Sequence, residues 1–463
     1  MNVLLLYPQF PDTFWSYKHA LKFIDKKAGN PPLGLITIAA LLPKEWNKRL
    51  VDTNIQPLTQ SDLHWADMVM ISAMVVQRDS THVLIQQCKD ADKLVVAGGP
   101  LFTGEHQDFP LVDHFVLNEG EITLPLFLAD FAQGHPQRIY ETTEYADMKQ
   151  TPPPMWELLD LNQYATMCIQ FSRGCPFDCE FCNITAMFGH RPRTKSAEQL
   201  IIELENLYAL GWRDSIFLVD DNFIGNKKVI KQELLPALIE WRKDKSGLPL
   251  NTEASINLAD DPELMDLMVK AGFNAVFIGI ETPNEDSLIE CNKKQNRNRD
   301  MVTSVKIIQH AGMMVQGGFI VGFDSDTENI FEQQASFIQR SGITTAMIGL
   351  LQAPSGTRLY KRLLNEGRLL GEMTGDNVDG STNIIPKLDI DLLKRGYQHL
   401  IKQIYQPKDY YQRCLLFLKT AKTPTIHKSL DWSYIRAFFR SIYLLGIKGI
   451  ERAEYWKDRK SVV

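Results

Sequence analysis

Three cysteines carry the strongest chemical signal in the chain: Cys175, Cys179 and Cys182, in the run Phe171-Ser-Arg-Gly-Cys-Pro-Phe-Asp-Cys-Glu-Phe-Cys182. Thiolates at this CxxxCxxC spacing bind three irons of a four-iron cluster and leave the fourth iron open to a ligand with its own chemistry. A zinc site needs four ligands, usually as two CxxC-like pairs, and no second pair exists. Cys88, Cys168, Cys291 and Cys414 stand alone in apolar or helical contexts and read as core or surface thiols. A disulfide framework does not suit 463 residues with seven cysteines and no signal-peptide pattern. Thr166–Phe171 has the apolar character of a strand, which puts the cysteines on a loop at a strand's C-terminal end. In barrels and open parallel sheets that end carries the chemistry.

The motif resembles the signature of radical S-adenosylmethionine (SAM) enzymes, down to the aromatic Phe181 before the third cysteine. The resemblance implies that the open iron chelates the amino and carboxylate groups of SAM. An electron from the cluster then splits SAM to methionine and a 5′-deoxyadenosyl radical, which takes hydrogen from an unactivated carbon. The cofactors do the hard chemistry, and the protein positions them and excludes water.

The elements that must position this chemistry are strands alternating with helices, the pattern of parallel α/β sheets. After the proline-rich Pro152–Pro154, strands are expected at Met167–Phe171, Ser215–Val219, Leu250–Ala254, Ala275–Ile280, Val315–Val321 and Thr345–Leu350. Six β/α units fall short of the eight of a full barrel; they match the partial (β/α)6 barrel of radical SAM enzymes, here over residues 150–360. Polar residues gather at the strand ends. Asp220-Asp221-Asn222 stands where the family usually has a Gly-Gly-Glu-like element on the SAM amino group. Glu253 and Glu281 are candidates for the ribose hydroxyls, since carboxylates accept paired hydrogen bonds. Gly318, in Gly317-Gly318-Phe-Ile-Val-Gly322, resembles the strand that packs on adenine, and Pro354-Ser-Gly-Thr357 the closing element. Each acid taken singly also reads as a cap or ion pair. For Arg193, contact with the SAM carboxylate and a place in a solvated basic loop weigh equally.

Residues 1–140 show a separate alternation, from Val3–Tyr7 to Leu124–Phe131, expected to form a doubly wound, Rossmann-like domain with ligands outside its strand C-terminal ends. Those ends hold Tyr7, Ser72, Met74, Gly98, Gly99, Pro100, Glu119, Gly120 and Glu121. By themselves the glycines read first as strand-to-helix turns. A small domain of this kind before a radical SAM core resembles the cobalamin-binding domain of the B12-dependent subclass, as do Pro31-Pro32-Leu33-Gly34-Leu35, Gly98-Gly99-Pro100 and Gly120-Glu121. The DxHxxG motif that gives cobalt a histidine in many B12 proteins is absent. Asp79-Ser-Thr-His82 has the wrong spacing, so the resemblance implies a lower cobalt face without histidine. The aromatic run Phe10–Trp15 suits either a cofactor wall or a local staple.

Residues 361–463 look helical, with a loop at 371–386 placed to cover the barrel mouth. From Lys428 to Lys460 there are eight Lys/Arg and four Asp/Glu beside Ile435, Phe438, Phe439 and Ile442. This suits either a basic amphipathic helix on an anionic membrane or a helix packed on the barrel. The net charge of −6 lacks the footprint of a nucleic-acid binder. No run of 18 uncharged apolar residues marks a spanning helix, and the chain starts straight into a strand without the basic lead of a secretory signal. A cytoplasmic place, with membrane-peripheral contact as its variant, is expected.

The arrangement along nearly all of the chain, with Phe10-Pro-Asp-Thr-Phe-Trp-Ser-Tyr-Lys-His19 and the Phe171–Cys182 block, resembles the hopanoid C-2 methylase group. The resemblance implies a [4Fe-4S] cluster, SAM and cobalamin, an electron donor such as flavodoxin or ferredoxin, and methylation of an unactivated carbon on a lipid or other small molecule. A B12-type radical SAM enzyme that rearranges, cyclises or oxidises without methyl transfer is the alternative. A non-catalytic corrinoid carrier is a remote third, which the intact cysteine triad opposes.

Overall fold

A computed structural model describes residues 1–13, 16–422, 426, 432–449, 452–453 and 455–456. Contacts divide the chain into two compact units: Met1–Ile169 with Arg193–Trp212, and Gln170–Pro192 with Arg213–Val463. The proline stretch Pro152–Pro154, expected as a boundary, lies inside the first.

In the first unit, β1 (Asn2–Tyr7), β2 (Asn47–Asp52), β3 (Met68–Ser72), β4 (Leu94–Gly98), β5 (His114–Val116) and β6 (Ile139–Tyr140) form one sheet. Its order is β2-β1-β3-β4-β5-β6 and every pairing is parallel. Parallel strands covered on both faces are apolar on both. Leu4 and Leu6 accordingly enter one core with Ile71, Val95 and Phe102, while Val3 and Leu5 enter the other with Leu35, Met70 and Phe127. The order reverses between β1 and β3, the switch point where doubly wound sheets hold ligands. His82 is stacked on Phe109, with ring centroids 4.3 Å apart.

Strand β7 (Met167–Ile169) leads into the cysteine loop. The second unit then contributes β8 (Ile216–Leu218), β9 (Leu250–Ala254), β10 (Phe273–Glu281), β11 (Met314–Val321) and β12 (Ala346–Leu350), each parallel to the next in chain order. All six expected strands are formed. Between them run helices Pro262–Ala271, Met301–Ala311 and Ile330–Ser341. The first two start at Asp261 and Asp300, whose carboxylates accept from the N–H groups of Leu264 and Thr303. A helix at every crossover and strands in sequential order make this a barrel-type winding, with one chemically active rim at the strand C-termini.

The C-terminal part is helical, as expected: Arg358–Asn365, Ile390–Ile404, Pro407–Thr420 and Trp432–Ser441. Arg413 is fully buried and donates to the Ile343 and Ile404 carbonyls, which fixes Pro407–Thr420 to the unit. The loop at 371–386 is seated on the end of β12. A side chain at Gly349 would collide with the Asn377 carbonyl, and Gln352 Nε2 donates to the Asp376 carbonyl at 3.0 Å. Among the described residues no helix is long and apolar enough to cross a membrane.

Candidate active site

Residues 174–183 have no regular secondary structure, so the loop depends on side chains from neighbouring strand ends. The three residues after β8 supply several of them. Asp220 accepts from the Phe171 N–H at 3.2 Å, and also from the Ser172 N–H and hydroxyl. Asp221 accepts from Gly174 N–H at 2.7 Å, and Asn222 Nδ2 points to Cys175 Sγ at 3.9 Å. From the turn Lys294–Asn296, which follows helix Glu285–Glu290, Gln295 Nε2 reaches Cys179 Sγ at 3.8 Å. These groups hold the loop that carries the thiols.

Cys175, Cys179 and Cys182 all line one cavity of about 350 Å³. Asp220, Asp221, Asn222, Glu253, Glu281, Ser255, Phe277, Lys293 and Gln295 line it too. Among the described residues no three His, Cys, Asp or Glu side chains converge on a single metal ion. Three thiols around one cavity suit a cluster, in which each cysteine takes a different iron. Burial pushes the Cys182 thiol up to about 12 and raises Cys175. Iron binding must therefore displace protons from these thiols.

The cavity is also an electrostatic arrangement. Burial, with Asp221 and Asp220 nearby, raises Glu253 to about 7; burial raises Asp220 to about 7 against the hydrogen bonds it accepts. Lys293 is the cation here. Burial disfavours its charge, but the neighbouring Glu281 carboxylate outweighs this and its pKa is raised. Its ammonium is 2.6 Å from Glu281 Oε1. Glu281 has φ 62°, a left-handed conformation uncommon outside glycine, where the β10–β11 register shifts. A Cβ on Gly279 would overlap the Glu281 carboxylate and come 2.9 Å from Lys293 Nζ, so glycine makes room for the pair. Surplus buried carboxylate beside one ammonium fits a ligand carrying both an amino and a carboxylate group, as SAM does.

Two residues expected at SAM, Gly318 and Arg193, do not line this cavity. Gly318 pairs with Gly279 across the sheet, and its missing side chain admits the Phe277 ring. Arg193 lies in the first unit, where its guanidinium grips Glu119 with two nitrogens and donates to the Ala146 carbonyl at 2.6 Å. Lys293 and Gln295 escaped the sequence reading because Asn292-Lys-Lys-Gln-Asn296 has the look of a solvated turn.

At the C-terminal rim of the first sheet, Tyr7 and Ser72 end β1 and β3, on either side of the switch point. Gly98 ends β4, and Gly99 has φ 90° with no space for a Cβ beside Ser72 Oγ. Pro100 opens the next helix, and Gly120 opens helix Gly120–Ala132. Met74 projects with 48% exposure. The acids at this rim have partners: Glu119 is held by Arg193, and Glu121 accepts from Thr151 Oγ1 at 2.9 Å. Asp52, whose pKa burial raises, accepts from Asn54 and from Tyr164 at 2.9 Å. A glycine-bearing rim at the switch point, with its acids already partnered, fits a large flat cofactor such as a corrinoid.

Residues 169–338 match the radical SAM superfamily model, and residues 357–462 match a domain of unknown function, DUF4070. The chain is 42% identical to an uncharacterised methyltransferase of Synechocystis, over 98% of this chain and 86% of the relative. It is 34% identical to hopanoid C-2 methylase of Rhodopseudomonas palustris, over 98% and 88%. Its fold is similar to that of the radical SAM methyltransferase TsrM from Kitasatospora setae, solved with cobalamin and a [4Fe-4S] cluster: TM-score 0.67, 16% identity, 100% of this chain and 99% of the other. Sequence identity of this extent over nearly the whole chain, joined to a cysteine-lined cavity on a barrel-type rim and the match to the radical SAM superfamily, makes the chain a member of the radical SAM methyltransferase family of these relatives.

Proposed function

We propose that Cys175, Cys179 and Cys182 ligate the cluster and that the enzyme methylates an unactivated carbon of a polycyclic membrane lipid, with a hopanoid as the leading substrate. The observation that carries the reading is the convergence of the three thiols with Glu253, Glu281 and Lys293 on one cavity. When bound, the cluster and SAM supply the hydrogen-abstracting radical, and cobalamin carries the methyl group. The chain's own residues then have simple tasks. Asp220, Asp221 and Asn222 keep the cysteine loop in place; Glu253 and Glu281 receive the hydroxyl and ammonium groups of SAM, and Lys293 its carboxylate. Phe177, Phe181, Phe217 and Phe277 line the same cavity and limit water beside a reactive carbon. In the first unit Tyr7, Ser72, Met74 and the Gly98-Gly99-Pro100 and Glu119–Glu121 turns cradle the corrinoid.

The lipid assignment draws on the 34% identity to hopanoid C-2 methylase and on the C-terminal helix. Trp432, Phe438, Phe439, Tyr443 and Ile447 are 48–75% exposed, among Arg436, Arg440 and Lys448. Aromatic and basic residues together suit an anionic bilayer surface, so a cytoplasmic enzyme resting on its membrane is the reading. Lys428 and the residues after 456 lie outside the described residues. A flavodoxin or ferredoxin would deliver the electrons. Anaerobic reconstitution with iron, sulfide, hydroxocobalamin, SAM and a reductant tests the chemistry. 5′-Deoxyadenosine together with S-adenosylhomocysteine is the expected product pair, with a 14-mass-unit gain on an added hopanoid. Deoxyadenosine without S-adenosylhomocysteine would remove the methyl transfer, and methylation of a water-soluble acceptor instead of the lipid would remove the substrate class.

A further inference from the structure

The stretch that carries the thiols also carries two acids, Asp178 and Glu180, and both are held from the beginning of the C-terminal DUF4070 region. Arg362, on helix Arg358–Asn365, meets Glu180 with two parallel bonds, Nε to Oε1 at 2.8 Å and Nη2 to Oε2 at 3.1 Å. Its remaining Nη1 donates to Asp324, just beyond β11, at 3.0 Å. The same helix takes the loop backbone as well: Leu359 N–H donates to the Glu180 carbonyl at 3.0 Å, and Arg358 Nη2 to the Asp178 carbonyl at 2.5 Å. Phe181 completes the attachment by packing against the core that includes Leu359, Leu363 and Phe323. Arg362 and Glu180 are partly buried, with side-chain exposures of 29% and 15%.

We propose that Arg362 is a positioning residue for the iron–sulfur cluster and that the first helix of the DUF4070 region is the latch of the cysteine loop. This rests on the cysteine ligation proposed above. A bidentate guanidinium–carboxylate pair fixes orientation as well as distance, and here it orients the residue directly after Cys179. The pair also neutralises a carboxylate next to a centre whose thiolates are already negative. Cluster potentials respond to neighbouring charge and to solvent access. Loss of Arg362 leaves Glu180 unpaired, so it both frees the loop and places net negative charge beside the cluster. The DUF4070 helix is thereby part of the redox site.

The test compares wild type, Arg362→Gln, Arg362→Lys, Glu180→Gln and the Glu180→Gln/Arg362→Gln double variant, as full-length reconstituted protein. The readouts are iron retained during chelator challenge, the cluster midpoint potential and the EPR spectrum of the reduced cluster. Loss of one charge-assisted pair predicts cluster release about tenfold faster in Arg362→Gln. Its potential should move lower, and Arg362→Lys should recover the potential better than the release rate, since it restores charge without the fork. The double variant should be no worse than Arg362→Gln alone. Unchanged release and potential in Arg362→Gln would overturn the latch, as would losses that simply add in the double variant. Should Arg362→Gln not fold, Glu180→Gln and Arg362→Lys carry the comparison, and wild-type behaviour in both would overturn it. A wild-type chain that holds no four-iron cluster would overturn the cysteine assignment, and the latch with it.

Discussion

The C-terminal rims of the two parallel sheets are alike in topology and opposite in electrostatics. On the first, the ionised groups are already matched: Glu119 with Arg193, and Asp52 with Asn54 and Tyr164. What the rim otherwise presents is strand-end backbone, close-packed glycines and the exposed Met74. On the second, four carboxylates face one ammonium and three thiols around a cavity. The first rim is suited to recognise by shape, the second by charge. A large macrocycle needs room and close backbone approach, whereas an amino acid-like cofactor and a cluster need fixed charges in a low-dielectric site.

The largest expected effect tests the charged rim. Cys179→Ala should abolish cluster uptake and all SAM cleavage, read as iron content and 5′-deoxyadenosine, while corrinoid retention on the first unit stays unchanged. Loss of both together would break the division of labour. Next, Lys293→Ala leaves Glu281 buried without its cation, and removal of one member of a buried pair costs about 3–5 kcal/mol. Calorimetry of the apo-protein should show that loss, and Lys293→Ala/Glu281→Gln should restore most of it.

A pH comparison sharpens the same point. Glu253 has its ordinary value near 4.5 raised to about 7 in the folded chain, chiefly by burial and then by Asp221 and Asp220. A carboxyl whose folded value is raised favours the native state below its unfolded value, and that contribution disappears as pH climbs through the folded value. Apo-protein stability should therefore fall between about pH 4.5 and 7, by at most ~3 kcal/mol from this group. Glu253→Gln should flatten that part of the profile, and a profile of unchanged slope would show that Glu253 does not titrate this way.

The smallest effect belongs to the first rim. Gly99→Ala forces a side chain into a φ of 90° and against Ser72 Oγ. This should cost about 1–3 kcal/mol of stability and lower corrinoid retention. Deoxyadenosine formation should remain. An equal loss of both activities would mean that the rims are not chemically separate.

Much of this was legible before any tertiary contact. Continuous apolar runs such as Val3–Leu6 and Met68–Ile71 identify buried parallel strands because both faces of each are covered. The CxxxCxxC loop and the polar residues after successive strands announce a rim. Less visible was how those polar residues are used. Asp220 and Asp221 lie at the expected rim, yet their hydrogen bonds go to the cysteine loop about 47 residues earlier. Arg193, equally open to a SAM contact and a solvated loop on sequence grounds, is bonded to Glu119.

What the sequence determined by itself was chemistry tied to neighbours along the chain: which thiols share a loop, where strands end, and which helices follow. Those depend on spacing, and spacing is local. Which charge meets which was decided only by the tertiary structure. Lys293 faces Glu281 because a strand ends in a left-handed residue beside a glycine, and Arg362 reaches Glu180 across 182 positions. An ion pair needs only complementary charge and a shared location, and no periodicity in the chain records which distant acid a given arginine will find.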